Sequence, residues 1–311
     1  MPETPDPFDT PVVFILFNRP ETTQRVFDVI ASVRPSQLLL IADGPRPGNP
    51  RDEQRCREAR AVTERIDWPC QVHRNFSDVN LGSGARIISG LNWAFSLVEE
   101  AIILEDDCLP HLSFFPFCRE LLARYRDDSR ICMVSGDNFV EKHFAGECSY
   151  FFSRMTHIWG WATWRRAWSR LDLRLTRWPE IREANLLAEI FDDPRVVAYW
   201  TEIFDVVHRN MGFDGWDYRL TYTTLVSNML SVAPRVNMVA NVGFGPEATR
   251  TKVAVAKWML PAQEMSFPLK HPPAVVPMRS LDLPDQLLYL PPRLPLRALR
   301  KLRRILAGSQ R

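Results

Sequence analysis

Three consecutive acids, Glu105, Asp106 and Asp107, follow a short apolar run at residues 101–104. Neighbouring carboxylates repel one another and lose hydration at a buried strand end, so such a site needs a cation. Oxygen donors without His or Cys suit a hard ion such as Mg²⁺ or Mn²⁺, which offsets charge on a leaving diphosphate. An ordinary solvated acidic turn has the same composition. The position of the triplet in the fold therefore decides between the two interpretations.

The chain before the triplet alternates between two hydrophobic periods. Continuous apolar runs predict strands at 12–17, 38–43, 71–74 and 101–104, and helical spacing predicts helices at 21–33, 52–66 and 85–98. This alternation predicts an α/β fold of βαβ units around a mainly parallel, Rossmann-like sheet flanked by helices. Ligands of such sheets bind at the carboxyl ends of the strands, which here carry Asn18-Arg19, Asp43 and the acidic triplet.

The second half of the chain has a less regular pattern. Helices are expected at 113–125, 194–210 and 216–228, strands at 131–135 and 236–240, and an aromatic-rich stretch spans 150–168. We divide the chain into a disordered N-terminus (1–10), a nucleotide-binding half (11–110), an acceptor-binding half (111–257) and a C-terminal tail (258–311). Prolines are dense from about residue 258 onward, so the tail is expected to wrap or extend.

Composition excludes several classes of protein. The 311 residues carry a net charge of only +2, so bulk charge does not favour nucleic acid as a partner. No signal-peptide pattern opens the chain, and its apolar runs are strand-sized, too short to span a bilayer. The six cysteines form no CxxC pair, which is typical of free thiols in a reducing compartment. We expect a cytoplasmic location.

The end of the tail differs from the rest of the chain in charge. Seven basic residues and no acidic residue follow Asp285, and Leu296, Leu299 and Leu302 recur among them at helical spacing. A basic amphipathic helix of this kind binds anionic membrane surfaces, which predicts peripheral contact at the inner face of the membrane. A solvated helix, or one docked on a protein partner, is equally consistent with the pattern.

Several short segments, taken together, resemble one enzyme family. Residues 103–111, Ile-Leu-Glu-Asp-Asp-Cys-Leu-Pro-His, followed by Phe114-Phe115, resemble the acidic metal-binding motif of GT-A glycosyltransferases, most closely the N-acetylglucosaminyltransferase I type and bacterial family-2-like enzymes. Further segments match in order: Phe17-Asn18-Arg19-Pro20, Ile41-Ala42-Asp43-Gly44, Asn80-Leu81-Gly82, Gly160-Trp161 and Trp216-Asp217. The resemblance covers about residues 11–251. It implies transfer of a sugar from a nucleotide diphosphate, UDP being favoured, to a hydroxyl acceptor on a glycan or lipid in bacterial-type polysaccharide synthesis.

The resemblance also implies roles on the donor side. The loop after the first strand would line the nucleotide through Phe17, Asn18 and Arg19. Asp43 would accept a hydrogen bond from the base, although an Asp before Gly-Pro is also an ordinary turn residue. In the acidic motif, Asp107 would bind Mn²⁺ or Mg²⁺, Asp106 would face the ribose or donor sugar, and Glu105 would support the base or ribose side.

A carboxylate is also expected to take the proton of the acceptor hydroxyl, with inversion at the sugar carbon. The family places this base in a Trp-Asp element, which here is Trp216-Asp217 at the start of a helix. An Asp at a helix N-terminus also has the ordinary role of offsetting free amides, and Asp214 is the rival candidate.

Aromatic residues and one arginine complete the expected site. Trp159 and Gly160 are expected to line it, since aromatic faces suit pyranose rings and Gly permits close approach, while Trp164 and Trp168 are assigned to packing. Arg250 stands where bacterial relatives tend to have His in a Thr-His-Thr segment. Arginine can bind a diphosphate but cannot be a neutral metal ligand.

Two other functions share this fold class. A sugar-nucleotide pyrophosphorylase would need a Gly-rich, Arg- and Lys-bearing loop after the first strand, and Phe17-Asn18-Arg19-Pro20 is not such a loop. A sugar-nucleotide-binding module without catalysis differs only in lacking metal-dependent release of nucleoside diphosphate.

Overall fold

Uninterrupted apolar runs form the central strands of the first half. The computed structural model describes residues 8–244 and 260–290. Its first part contains β1 (Val12–Leu16), α1 (Pro20–Val33), β2 (Gln37–Ala42), α2 (Pro50–Val62), β3 (Gln71–Phe76), α3 (Ser83–Leu97), β4 (Glu100–Glu105) and β5 (Cys108–Pro110). Every residue of β1 is buried, as expected of a strand covered on both faces.

The second part has shorter elements. They are α4 (Phe114–Arg124), β6 (Ile131–Ser135), a 3₁₀ turn (Glu141–His143), β7 (Tyr150–Ser153), β8 (Trp161–Trp164), α5 (Arg165–Trp168), α6 (Trp178–Glu183), α7 (Leu187–Ile190), α8 (Pro194–Arg209), α9 (Trp216–Val226), β9 (Leu230–Pro234), β10 (Val239–Asn241) and α10 (Arg279–Leu288). Within the described residues, no helix is long and apolar enough to cross a membrane.

Eight of the strands form one mixed sheet in the order β3-β2-β1-β4-β8-β6-β9-β7. The first four are mutually parallel, with Val12 beside Leu38 of β2 and Ile102 of β4. β8 runs antiparallel to both β4 and β6, so β6 again points the same way as β4. β10 and β5 form a separate antiparallel pair.

Helices cover both faces of this sheet because successive strand residues point to opposite sides. Val12 and Phe14 pack on the face covered by α1 and α4, whereas Val13 and Ile15 pack on the face covered by α3. A third cluster, centred on Trp178, joins α6 to α9. The predicted α/β class with a helix-flanked, mainly parallel sheet is therefore confirmed.

Several predicted boundaries are corrected. The antiparallel strands β7 and β8 lie inside the aromatic stretch, where ring-rich residues hid the strand pattern, and β9 falls in a segment to which no element was assigned. Ordered structure begins earlier than residue 11, since Phe8 bridges to Pro35 and is buried. The other N-terminal residues, 1–7, lie outside the described part, as do 245–259 and 291–311, which include the predicted basic helix.

The proline-rich segment is attached to the core. Met265 and Leu269 are buried there, and α10 follows with Leu281 buried. The Met278 amide donates to the Phe152 carbonyl at 2.8 Å, so this segment runs along the sheet edge at β7. The six cysteines are free thiols, as predicted, and four of them are buried.

Candidate active site

The polar strand ends converge on one pocket. β1, β2, β4 and β6 all point to the same sheet edge, and the segment before the antiparallel β8 starts there as well. A cavity of about 670 Å³ opens at this edge, a size typical of small-molecule sites. Among the residues predicted from the sequence, these line it: Phe17, Arg19, Asp43, Glu105, Asp106, Asp107, Trp159, Asp217 and the rival Asp214.

Two acids of the triplet form ion pairs with one arginine of the protein itself. Arg19 Nη1 lies 2.5 Å from Asp107 Oδ2 and 3.6 Å from Asp106 Oδ1. Asp106 Oδ2 also accepts a hydrogen bond from the Phe17 amide at 2.9 Å. Burial, together with the neighbouring charge of Asp107, raises the pKa of Asp106 to about 7 despite the opposing effect of Arg19. The loop after β1 and the end of β4 are thus joined by charge.

Asp43 organises a loop. Its Oδ1 accepts from the amides of Gly44 (3.0 Å) and Leu81 (2.9 Å), and its Oδ2 accepts from Gly82 N (3.1 Å) and Asn80 Nδ2 (3.0 Å). These four hydrogen bonds use the lone-pair directions of a carboxylate. Asp43 therefore fixes the segment Asn80–Gly82 that forms the pocket wall, and the turn interpretation accounts for its contacts without a nucleotide base.

Two predicted site residues do not reach the pocket wall. The Asn18 amide donates to Asp52 Oδ1 at 2.8 Å and fastens the β1 loop to α2. Gly160 is buried at φ +67°, and a Cβ there would lie 2.7 Å from Val239, so the glycine is required by backbone conformation and packing. Arg250 lies outside the described residues.

The aromatic stretch divides into pocket wall and core. Trp159 lines the pocket, with its ring centroid 5.2 Å from Phe139 and 5.6 Å from Phe244. Trp164 and Trp168 are buried in the core, as assigned.

The two candidate bases lie at the start of α9. Asp217 is half-buried in the first turn and lines the pocket. Asp214 is exposed, and its Oδ1 accepts a short hydrogen bond from the Gly84 amide in the first turn of α3. An anionic side chain there offsets the positive end of that helix. Asp214 thus has a structural partner across the pocket.

A buried charge cluster was missed. His157 Nε2 lies 2.7 Å from Asp285 Oδ2 of α10, and Asp137 lies on the pocket lining nearby. Although burial lowers it, the charge and hydrogen bond of Asp285 raise the pKa of His157 to about 9. Burial raises the pKa of Asp137 to about 7. Asp137 comes two residues after the end of β6, a strand-end signal in the sequence, but Asp285 has no local signal.

The carboxylates that the structure describes do not form a complete metal-binding site. Among residues 8–244 and 260–290, no group of three or more His, Cys, Asp or Glu side chains is arranged to hold a metal ion. Asp107, the predicted metal ligand, is paired through its Oδ2 with Arg19. A divalent ion there would need further oxygen ligands from a bound phosphate.

Comparisons with known proteins gave only weak structural matches. No protein-family model and no curated sequence matches the chain. Solved structures that match include a 4-diphosphocytidyl-2C-methyl-D-erythritol synthase from Anaerococcus prevotii (8% identity; 52% of this chain and 75% of that chain; TM-score 0.33). Two others are a UTP-bound UGPase from Acinetobacter baumannii (8%; 75% and 88%; 0.36) and mouse xyloside xylosyltransferase 1 (10%; 71% and 83%; 0.34). Because these TM-scores are below 0.5, the matches carry no argument about function.

Proposed function

We propose that the protein is an inverting glycosyltransferase of the GT-A type that transfers a sugar from a nucleotide diphosphate, UDP being favoured, to a hydroxyl acceptor. One observation carries the proposal. The acids at the end of β4 and the acid at the start of α9 line one pocket of about 670 Å³ and belong to different elements. Such a pocket can hold a leaving diphosphate at one wall and an acceptor at the other.

The donor would lie along the parallel half of the sheet. Phe17 forms part of the wall, and the Arg46 guanidinium lies 5.7 Å from its ring centroid, which provides a flat surface for a base. Arg19 already pairs with a carboxylate of the triplet, and it could bind a diphosphate oxygen in place of that carboxylate. Its planar guanidinium presents several N–H donors in a geometry that suits a diphosphate.

The donor wall could bind a divalent ion only together with ligands from the bound donor. Asp107 would hold Mg²⁺ or Mn²⁺ together with phosphate oxygens, since such ions commonly use one or two carboxylates. The ion would supply Lewis-acid stabilisation of the departing diphosphate. Gly243 supports the assignment, because a Cβ at this position would collide with the Asp107 carboxylate and approach Arg19 Nη1. The glycine therefore lets the chain pass close to Asp107 without displacing its carboxylate.

Asp217 is the proposed general base. It lies in the first turn of α9, lines the same pocket as the acidic triplet, and would take the proton from the acceptor hydroxyl as that oxygen attacks the sugar carbon. Asp214 is less suited to this role, because its Oδ1 is engaged by the Gly84 amide. The acceptor is proposed to be a glycan or a lipid-linked sugar of polysaccharide synthesis.

The test is a ligand screen followed by a turnover assay. Sugar nucleotides should raise the melting temperature more in the presence of Mn²⁺ or Mg²⁺ than in EDTA, because ligands that bind the folded state stabilise it. The ligand found should then release nucleoside diphosphate when glycoside acceptors are added. Asp107→Asn should remain folded and lose both the metal-enhanced binding and the turnover.

Each contrary outcome has a separate meaning. Binding without release of nucleoside diphosphate would favour the non-catalytic module. Formation of a sugar nucleotide from a nucleoside triphosphate and a sugar phosphate would favour the pyrophosphorylase. Unchanged metal dependence in Asp107→Asn would overturn the metal assignment.

A further inference from the structure

The charge cluster on the second-half side of the pocket has no role in the proposed chemistry. Asp137 and His157 line the pocket, whereas Asp285 approaches His157 from α10, 128 residues further along the chain. The three side chains are nearly inaccessible to solvent, with exposed fractions of 1%, 7% and 4%. Burial of this kind is costly unless each polar atom has a partner.

Two atoms of this cluster lack such a partner. Within the described residues, Asp137 Oδ1 and Asp285 Oδ1 are buried and accept no hydrogen bond, and of the two acids Asp137 lines the pocket. His157 is already committed to Asp285 through Nε2. An unsatisfied buried acceptor destabilises a folded protein, and at Asp137, which lines the pocket, a bound ligand can supply the missing donor.

The surroundings of Asp137 indicate what that ligand is. The Phe139 ring stacks edge-on against both His157 and Trp159, each at 5.2 Å, and Trp159 in turn contacts Phe244. Gly243, beside Phe244, lies against Asp107. An aromatic wall therefore leads from the diphosphate side of the pocket to Asp137. Aromatic faces with a buried acceptor beside them suit a sugar ring and one of its hydroxyls.

We propose that Asp137 binds a carbohydrate hydroxyl, and that the His157–Asp285 pair anchors the floor of this sugar subsite to α10. The inference rests on the proposed glycosyltransferase function and deepens it. It makes α10, which the sequence places in the tail, a structural part of the sugar site. The hydroxyl belongs either to the donor sugar or to the acceptor, and two assays separate these sources.

The first assay compares UDP with UDP-glucose, UDP-galactose and UDP-N-acetylglucosamine by calorimetry. If the hydroxyl is on the donor, Asp137→Asn should weaken binding of the preferred sugar nucleotide about tenfold or more, because hydrogen bonds to charged groups are strong. Affinity for UDP alone should be unchanged. That internal reference also shows that the variant is folded.

The second assay measures UDP release with a panel of glycoside acceptors. If the hydroxyl is on the acceptor, Asp137→Asn should leave the affinities for UDP and for the sugar nucleotide unchanged. The KM for the acceptor should then rise about tenfold. The matched control is Asp205→Asn, a half-buried acid of α8 that accepts a hydrogen bond from Trp178 Nε1 at 2.9 Å and does not line the pocket. It should lower the melting temperature without changing either measurement.

Three outcomes would overturn the inference. If Asp137→Asn changes neither the sugar-nucleotide affinity nor the acceptor KM, Asp137 does not bind a carbohydrate hydroxyl. An equal loss of UDP and sugar-nucleotide binding in Asp137→Asn would show general damage to the pocket. A wild-type protein that binds none of these nucleotides would contradict the proposed UDP-sugar function itself, and the inference would fail with it.

Discussion

The parallel half of the sheet, β3 to β4, and the mixed half, β8 to β7, hold their buried charges in different ways. In the parallel half, backbone amides at the strand ends bind the carboxylates of Asp43 and Asp106. In the mixed half, a distant helix also takes part: Asp285 of α10 binds His157, and Asp282 of α10 accepts from Ser153 Oγ and the Arg154 amide. The donor wall is therefore built into the sheet, whereas the opposite wall depends on the docking of α10.

Replacement of the proposed base Asp217 gives the largest expected effect, and it distinguishes the role of the wall at α9 from that of the donor wall. Asp217→Asn keeps the shape of the side chain but cannot accept the proton of the acceptor, so the chemical step should fall about 10²–10⁴-fold. Donor affinity should barely change, because the nucleotide is held on the parallel half. Single-turnover kinetics and calorimetry measure the two quantities.

Asp214→Asn is the control for this variant. Its Oδ1 already accepts from the Gly84 amide, and an amide oxygen can replace it there, so the rate should change little. If Asp214→Asn removes activity and Asp217→Asn does not, the base is misassigned.

The second prediction concerns the amide-held acid of the parallel half. Asp43→Asn has one acceptor oxygen in place of two, and its NH₂ would face the donors of Asn80 and Gly82. We expect a loss of about 3 kcal/mol of unfolding free energy, together with weaker nucleotide binding as the loop loosens. Denaturant titration measures the first effect. Intact stability with lost nucleotide binding would instead indicate direct contact between Asp43 and the base.

This contrast also explains what the sequence could predict. Strand ends of βαβ units share one sheet edge, so Asp43 and the acidic triplet were located from local pattern alone. The same rule applies to Asp137 after β6, where the strand was predicted but the residue was overlooked. The neutralising role of Arg19, 88 residues from Asp107, required the folded chain.

The mixed half was less predictable for physical reasons. Its strands β7, β8 and β9 are only four or five residues long, and aromatic residues obscure the alternation of β7 and β8. The partner of His157 lies in a proline-rich segment without helical periodicity at its start. Gly160 shows the limit of motif matching, since a backbone angle and the contact with Val239 explain it without a ligand.

The smallest expected effect is a pH dependence of stability from the mixed half. His157 faces three acids: Asp285 in direct contact, Asp137 on the pocket wall and Asp282 further along α10. Although burial opposes it, Asp285 raises the pKa of His157 from 6.5 to about 9, so the folded state binds the proton more tightly than the unfolded chain does. The stabilisation is fully present below about pH 6.5 and is lost as the pH rises through 9.

The neighbouring acids also lower the stability as the pH rises, but they do so over a lower pH range than His157 does. Burial raises the pKa of Asp137 to about 7 and that of Asp282 to about 6, so their effects are complete near neutrality. Between pH 7 and 9 His157 contributes a decline on the order of 2 kcal/mol, since one pKa unit corresponds to about 1.4 kcal/mol and the acids share the interaction. Buried thiols such as Cys56 and Cys132, whose pKa burial also raises, add a further decline as the pH approaches 9. The His157 contribution should lower the melting temperature by about 4 °C over this range in the wild type. In His157→Gln the fall should be smaller by that amount. An equal fall in both proteins would show that the His157–Asp285 pair does not hold α10 through charge, and the contrast between the two halves would lose its electrostatic basis.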